Sequence, residues 1–124
     1  MNILFKTDKI IWKAELNKSK TAEEIYKNLP FVARIKVWQE EIYFDIPLKL
    51  KPENPTLDVE VGDVAYWVQG SCLCIFFGRT PLSTTDKPVP ASEVEIIGRL
   101  LEDCLPLKNF KEGERIVVER LNGL

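Results

Sequence analysis

The feature that most constrains the fold is a series of short strand-like segments, in several of which apolar and polar residues alternate. The segments span residues 3–6, 10–16, 31–38, 41–46, 64–68, 72–77, 94–101 and 115–121. Alternation with a period of two is typical of a half-buried β-strand, because successive side chains point to opposite faces. Segment 72–77 is nearly all apolar, which predicts a strand buried on both faces. Seven or eight short strands separated by turns favour a closed barrel or a sandwich.

One helix is predicted after the second strand. Thr21 can cap its N-terminus, and Glu24 stands three residues later, as in a capping box. Pro30 ends the helix. One apolar stripe is formed by Ala22, Ile25, Tyr26 and Leu29. A helix of about two turns is not stable alone in water, so we expect this stripe to pack on a sheet.

The segments between the strands predict one hairpin and one long loop. Gln39 and Glu40 separate two alternating segments, which indicates a hairpin between residues 31–38 and 41–46. Residues 78–92 form the longest irregular stretch and are rich in Thr, Ser and Pro. Loops of this length are often functional. Residues 103–113 are predicted to contain one helical turn.

The chain contains no histidine among its 124 residues. This excludes Ser–His and Cys–His nucleophile pairs, a histidine general base and histidine metal ligands. The three cysteines do not make up the four ligands of a structural zinc site. We therefore expect neither a cofactor nor a metal ion. The length suits a single domain over residues 1–124.

Charge and cysteine content bear on partners and compartment. A net charge of −2 and an acidic pI of about 5.3 argue against a nucleic-acid partner, which needs a basic face. The odd cysteine count is typical of a reducing compartment, and Cys72 and Cys74 are predicted to be buried packing thiols. Segment 72–77 is too short to span a bilayer, and the first residues lack a signal-peptide pattern. We expect a cytoplasmic protein with no membrane partner.

Several blocks of the sequence resemble cyclophilins. Residues 20–26 read K-T-A-E-E-I-Y and are similar to the helix signature P-K-T-A-E-N-F. Residues 70–80 read G-S-C-L-C-I-F-F-G-R-T and are similar to G-S-Q-F-F-I-C-T followed by K-T. Residues 95–100 read E-I-I-G-R-L and are similar to V-V-F-G-K-V.

A closer resemblance, which covers nearly the whole chain, is to the short cyclophilin-like proteins of bacteria and archaea. Their pattern runs W-G-D-E-I-Y-F, G-D-x-A-Y-W-x-x-G, L-C-I-F-F-G-x-T-P and I-G-R. The corresponding blocks here are residues 38–44, 62–70, 73–81 and 97–99. This resemblance implies a mainly β protein, a closed eight-stranded antiparallel barrel with the one helix capping an open end.

The resemblance also implies a site for peptidyl-prolyl isomerisation. Such a site holds a proline ring in an apolar pocket and places an arginine near the twisting amide. Arg34 is the best match to the catalytic arginine, Cys74 stands where the family has the aromatic floor, and Leu82 falls near the loop tryptophan. The family's loop histidine has no counterpart. Other aromatic residues could rebuild the ligand-binding pocket, namely Trp38, Tyr43, Tyr66, Trp67 and Phe76.

Three functions are compatible with these residues. The first is a binding module for a proline-containing peptide or a small molecule, with its groove on the barrel face near Arg34, Trp38 and the loop 79–92. The second is a weak or atypical prolyl isomerase that uses Arg34. The third is a structural homo-oligomer that associates through exposed aromatic residues or a free strand edge.

Overall fold

The computed structural model describes residues 1–103 and 105–121, and within them nine strands form one antiparallel sheet. The strands are β1 (Asn2–Lys6), β2 (Ile11–Leu16), β3 (Phe31–Arg34), β4 (Lys36–Val37), β5 (Glu41–Asp45), β6 (Asp63–Trp67), β7 (Cys72–Phe76), β8 (Val94–Leu100) and β9 (Arg115–Arg120). Their order across the sheet is β3-β9-β1-β2-β8-β6-β7-β5-β4. Helix α1 (Lys20–Lys27) and a 3₁₀ helix (Leu105–Asn109) complete the described elements.

The sheet curls into a nearly closed barrel because its two terminal strands, β3 and β4, are consecutive in the chain. Ile35 separates them. Its N–H donates to the Glu114 carbonyl at 2.8 Å, and its carbonyl accepts from the Gly113 N–H at 2.7 Å. β3 pairs with β9, whereas β4 pairs with β5. The prediction of a closed barrel of eight strands therefore needs correction, because the expected strand over 31–38 is interrupted at Ile35.

The inward faces of the strands form one apolar core, here called the interior cluster. Along β2 the buried side chains are Trp12, Ala14 and Leu16, while the residues between them are exposed, as the alternation predicts. Phe5 packs edge-on against Trp12 and against Phe44, with ring centroids 6.2 and 6.4 Å apart. Aromatic rings from the neighbouring strands β1 and β2 and from β5 on the opposite side of the barrel thus pack together in the core.

Helix α1 covers part of this core with the predicted stripe. Ala22 and Ile25 are fully buried in the interior cluster. The N-cap, however, is Ser19, whose Oγ accepts from the Ala22 N–H at 3.1 Å. Thr21, predicted as the cap, lies in the first turn and is only 3% exposed. The prediction of a capping box is wrong because the helix begins two residues earlier than expected.

Two other predictions from the alternation are confirmed. β4 and β5 form the expected hairpin, and the Trp38 N–H donates to the Glu41 carbonyl at 2.8 Å across the turn. All five residues of β7 are buried, because a second group of apolar side chains covers its outer face. This outer cluster consists of Val59, Ala65, Cys74, Phe76 and Val94. No helix in the described part of the chain is long and apolar enough to cross a membrane.

Candidate active site on the outer face

A pocket of about 240 Å³ opens on the outside of the barrel, above the outer cluster. This outer pocket is lined by Trp38, Glu41, Tyr43, Trp67, Cys74, Pro90, Ala91 and Val94. The strand register explains the grouping. Tyr43 of β5 and Ala65 of β6 both pair with Cys74 of β7, and Trp67 pairs with Val94 of β8. Side chains at paired positions point to the same face of a sheet, so these residues lie side by side.

Aromatic rings form the walls of the outer pocket. The rings of Tyr43 and Trp67 have centroids 6.1 Å apart and planes at 84°. Trp67 is held in place because its Nε1–H donates to the Ser92 Oγ at 2.6 Å. Gly70 lets the ring lie against the backbone, since an added Cβ there would stand 2.3 Å from a ring carbon. The wall therefore has a defined position before any ligand binds.

Glu41 places a carboxyl group in this apolar setting. The side chain is only 6% exposed, and its Oε1 has no hydrogen-bond partner among the described residues. Burial raises the pKa of Glu41 to about 7, and a hydrogen bond from the Cys74 thiol lowers it in part. The outer pocket thus contains a carboxyl group that changes charge near neutral pH.

The two described cysteines are neutral thiols. Burial raises the pKa of Cys74, and the neighbouring Glu41 raises it further. Burial and a hydrogen bond to Asp45 raise the pKa of Cys72 to about 12. A nucleophilic cysteine needs a lowered pKa, so neither is suited to covalent catalysis. Both are buried, as predicted, and the third cysteine lies outside the described residues.

The loop after β7 brings Pro90 and Ala91 to the pocket. Thr80 is 2% exposed, and its Oγ1 donates to the Val89 carbonyl at 2.6 Å. The Ser83 Oγ accepts from the Thr80 N–H at 3.0 Å and donates to the Lys87 carbonyl at 2.7 Å. These bonds give the long loop a fixed shape, which explains how a segment without regular structure can line a site.

Half of the predicted site residues meet in the outer pocket, namely Trp38, Tyr43, Trp67 and Cys74. Tyr66 points to the interior, where its hydroxyl donates to the Leu48 carbonyl at 2.9 Å and accepts from the Leu50 N–H at 3.0 Å. Phe76 is fully buried in the outer cluster. Leu82 lies on the loop, about half exposed. None of these last three lines the outer pocket.

Arg34 also lies outside the lining. It is exposed on β3, and its Nη1 donates to the Gly113 carbonyl at 3.3 Å. Lys36 lies near one pocket wall, with its Nζ 5.8 Å from the centre of the Tyr43 ring. Lys36 also pairs with Asp45 at 3.5 Å. The role proposed for Arg34 in catalysis stays a prediction.

Sequence reasoning missed Glu41 and the loop residues of the pocket. A signal for Glu41 existed, because it shares the polar phase of its strand with Tyr43. Pro90 and Ala91 carried no such signal, since a loop has no periodicity. Across residues 1–103 and 105–121, no group of three or more Cys, Asp or Glu side chains is arranged to hold a metal ion.

Comparisons with known proteins agree with this architecture. The family model described as Cyclophilin-like matches residues 1–119. This chain belongs to the Cyclophilin-like family. Among solved structures, it is similar to the solution structure of the hypothetical protein AF2241 from Archaeoglobus fulgidus, with a TM-score of 0.84 and 36% sequence identity. The match covers 98% of this chain and 95% of that chain. No curated protein matches this cyclophilin-like chain.

Proposed function

We propose that this cyclophilin-like barrel is a binding module that holds a peptide side chain or a small molecule in the outer pocket. The observation that carries the proposal is the convergence of three aromatic residues, Trp38, Tyr43 and Trp67, around one open cavity. Ligand sites are typically concave and mostly apolar, with a few polar groups. The outer pocket has this composition, because Glu41 is the one charged side chain among the described residues that line it.

The size of the outer pocket limits the ligand. Its volume of about 240 Å³ is below the roughly 300–1,000 Å³ of sites for drug-sized ligands. A single ring or a branched group of a few atoms is therefore the expected occupant. Cys74 supports this, because a thiol at the floor leaves room that a larger aromatic side chain would fill.

Titration with a capped Ala-Pro dipeptide amide tests the proposal. Trp38 and Trp67 line the outer pocket while Trp12 is buried in the core, so binding is expected to change the tryptophan fluorescence. Backbone amide shifts should cluster on β5, β7 and residues 90–92. Trp38→Ala should abolish both signals, whereas the exposed Ile11→Ala on β2 should leave them unchanged. Unchanged fluorescence and amide shifts at millimolar peptide would contradict binding of a prolyl peptide at this site.

Weak prolyl isomerase activity is the second candidate. It is favoured by Cys74 in the pocket lining, because the resemblance assigns that position to the floor of a proline pocket. A cis/trans assay on a prolyl peptide should then show a rate above background that Arg34→Ala reduces. Equal background rates for the wild type and the variant would reject this candidate.

The homo-oligomer remains a third proposal. Both terminal strands are short, four residues in β3 and two in β4, so a partner copy would find little free strand edge. Contact through the aromatic residues of the outer pocket is the remaining route. Light scattering should then show a mass that rises with concentration and falls in Trp38→Ala. The cytoplasmic location expected from the cysteine count likewise stays a prediction.

A further inference from the structure

We propose that the group recognised by the outer pocket is an alkylammonium cation, a quaternary or protonated N-methylated amine. This inference rests on the proposed binding function and names the chemistry of its ligand. It is carried by the combination of three aromatic walls with one buried, unpartnered carboxyl oxygen. Aromatic cages of this kind recognise quaternary ammonium groups by cation–π attraction.

The charge in the lining of the outer pocket has the sign that a cation requires. Among the described residues, Glu41 is the one carboxyl that lines the pocket, no lysine or arginine lines it, and the nearby Lys36 ammonium is paired with Asp45. No ion pair to Glu41 is present in the described part of the chain, and its Oε1 has no hydrogen-bond partner there. Burying a carboxylate whose hydrogen bond comes only from the Cys74 thiol is costly, so a bound cation would supply the missing opposite charge.

The geometry of the walls suits a rounded cation. The Tyr43 and Trp67 rings pack against each other edge to face, with centroids 6.1 Å apart and planes at 84°, so together they form one wall of the pocket. Trp38 adds a third aromatic surface from the turn of the hairpin that carries Tyr43. A ring face attracts a cation because its quadrupole is negative there. A branched ammonium can contact several such surfaces at once, which a planar group cannot.

Protonation of Glu41 provides a way to distinguish this ligand from a neutral one. A protonated carboxyl donates a hydrogen bond and would favour a ligand carbonyl, whereas a carboxylate favours a cation. The titratable groups that interact with Glu41 are Cys74 and Cys72 on β7 and Tyr43 on β5, and Tyr43 in turn interacts with Lys36 on β4 and with Glu112. Lys36 is paired with Asp45 and the thiols are neutral, so Glu41 is the group that titrates near neutral pH.

Choline and its uncharged isostere, 3,3-dimethylbutan-1-ol, form the decisive pair of probes. They have the same shape and differ in charge. We expect choline to bind at least about tenfold more tightly to the wild type at pH 8, by tryptophan fluorescence and amide shifts. Affinity for choline should rise about tenfold from pH 6 to pH 8, as an acid with a pKa of about 7 ionises. Affinity for the alcohol should not rise.

Glu41→Gln removes the charge and keeps the shape of the side chain. In this variant we expect the two probes to bind within about twofold of each other, and binding of the alcohol shows that the pocket is still folded. Glu93→Gln is the matched control, because Glu93 is exposed next to the pocket segment and is absent from its lining. It should leave the preference for choline unchanged.

The outcomes separate this inference from the binding function. Equal binding of both probes, or a preference that survives Glu41→Gln, would overturn the alkylammonium assignment alone. Binding of the Ala-Pro peptide without binding of choline would do the same. Failure of all three probes would reject the binding function as well. A capped peptide with one trimethyllysine shows which kind of molecule carries the alkylammonium group. If this peptide binds more tightly than choline, the ligand is a peptide side chain. If it binds equally or more weakly, the ligand is a free small cation.

Discussion

The interior cluster and the outer cluster share strands β6, β7 and β8, and a buried polar atom without a partner among the described residues lies at each of them. In the interior, the Trp12 Nε1–H is buried without a partner among the described residues. Beside the outer cluster, the Glu41 Oε1 is in the same situation. The indole N–H of Trp12 is neutral, so the free-energy cost of burying it does not vary with pH. The Glu41 carboxyl is ionisable, so the free-energy cost of burying it depends on the pH and on the ligand in the pocket.

The difference shows how one barrel can separate stability from recognition. Along β7, Leu73 and Ile75 face the interior, while Cys74 and Phe76 face outward. The interior is enclosed by the whole sheet and α1. The outer cluster is covered by loops instead, which leave Tyr43 and Trp67 only half-buried. A cavity can remain on the outer face because loops cover it incompletely, whereas the strands and α1 enclose the interior and its side chains fill the space.

The largest effect is expected from paired truncations of two fully buried phenylalanines. Phe44→Ala removes a ring from the interior cluster and should lower the free energy of unfolding by about 4–5 kcal/mol, because the enclosed site cannot collapse. Phe76→Ala in the outer cluster should cost about 3 kcal/mol, because the covering loops can relax. Urea denaturation of both variants measures the difference. Equal costs would remove the distinction between the two clusters.

The second effect is a pH-dependent destabilisation by Glu41. Its pKa is about 7 in the folded state and 4.5 for an ordinary exposed glutamate, so the folded state binds more protons between these values. Wild-type stability should therefore fall as pH rises from 4.5 to 7, by up to about 3 kcal/mol. Glu41→Gln should lack this fall, and its stability relative to wild type should level off above pH 7. A constant difference from pH 4.5 to 8 would contradict the shift.

The third effect compares a tyrosine hydroxyl in each region. Tyr66→Phe leaves the Leu48 carbonyl and the Leu50 N–H without a partner inside the barrel, which should cost about 1–3 kcal/mol. Tyr43→Phe, on the half-exposed pocket wall, should cost no more than about 0.5 kcal/mol. Thermal unfolding of both variants is the measurement. A larger loss for Tyr43→Phe would mean that the pocket wall carries more of the stability than its exposure indicates.

The smallest effect concerns the turn that joins two pocket residues, Trp38 and Glu41. Gln39 has a φ of 57°, in the left-handed region that favours glycine. Gln39→Gly should raise the free energy of unfolding by about 0.5–1 kcal/mol, since it relieves this backbone strain. Gln39→Ala, which keeps a Cβ, should show no gain in a chemical denaturation series. A gain for Ala equal to that for Gly would rule out the backbone explanation.

Much of the fold could be predicted because alternation is a local property. The predicted strands agree with the observed ones to within one or two residues, except at Ile35. That residue fits the alternation perfectly, and the break arises because its backbone bonds reach Gly113 and Glu114 at the far end of the chain. The prediction of the N-cap of α1 was wrong because tertiary contacts also decide where the helix begins. Ser19 and Thr21 are both suitable caps by residue type, and packing buries Thr21.

The candidate site was predictable in part. Within their own strands, the alternation predicted that Trp38 and Tyr43 lie on the polar face, and only the strand register brought them together with Cys74. Tyr66 could not be separated from Trp67 by residue type, since both are aromatic and adjacent in sequence. The structure separates them because consecutive residues of a strand face opposite sides of the sheet.

By itself, the sequence determined which side chains share a face of each strand, and it excluded every reaction that needs a histidine. Only the tertiary structure decided which strands lie side by side, where the loops cover the sheet and where a cavity remains. The physical reason is that alternation depends on neighbouring residues, whereas the outer pocket joins residues 38 and 91. The raised pKa of Glu41 also depends on the tertiary structure, because residues that are distant in the chain exclude water from its carboxyl group.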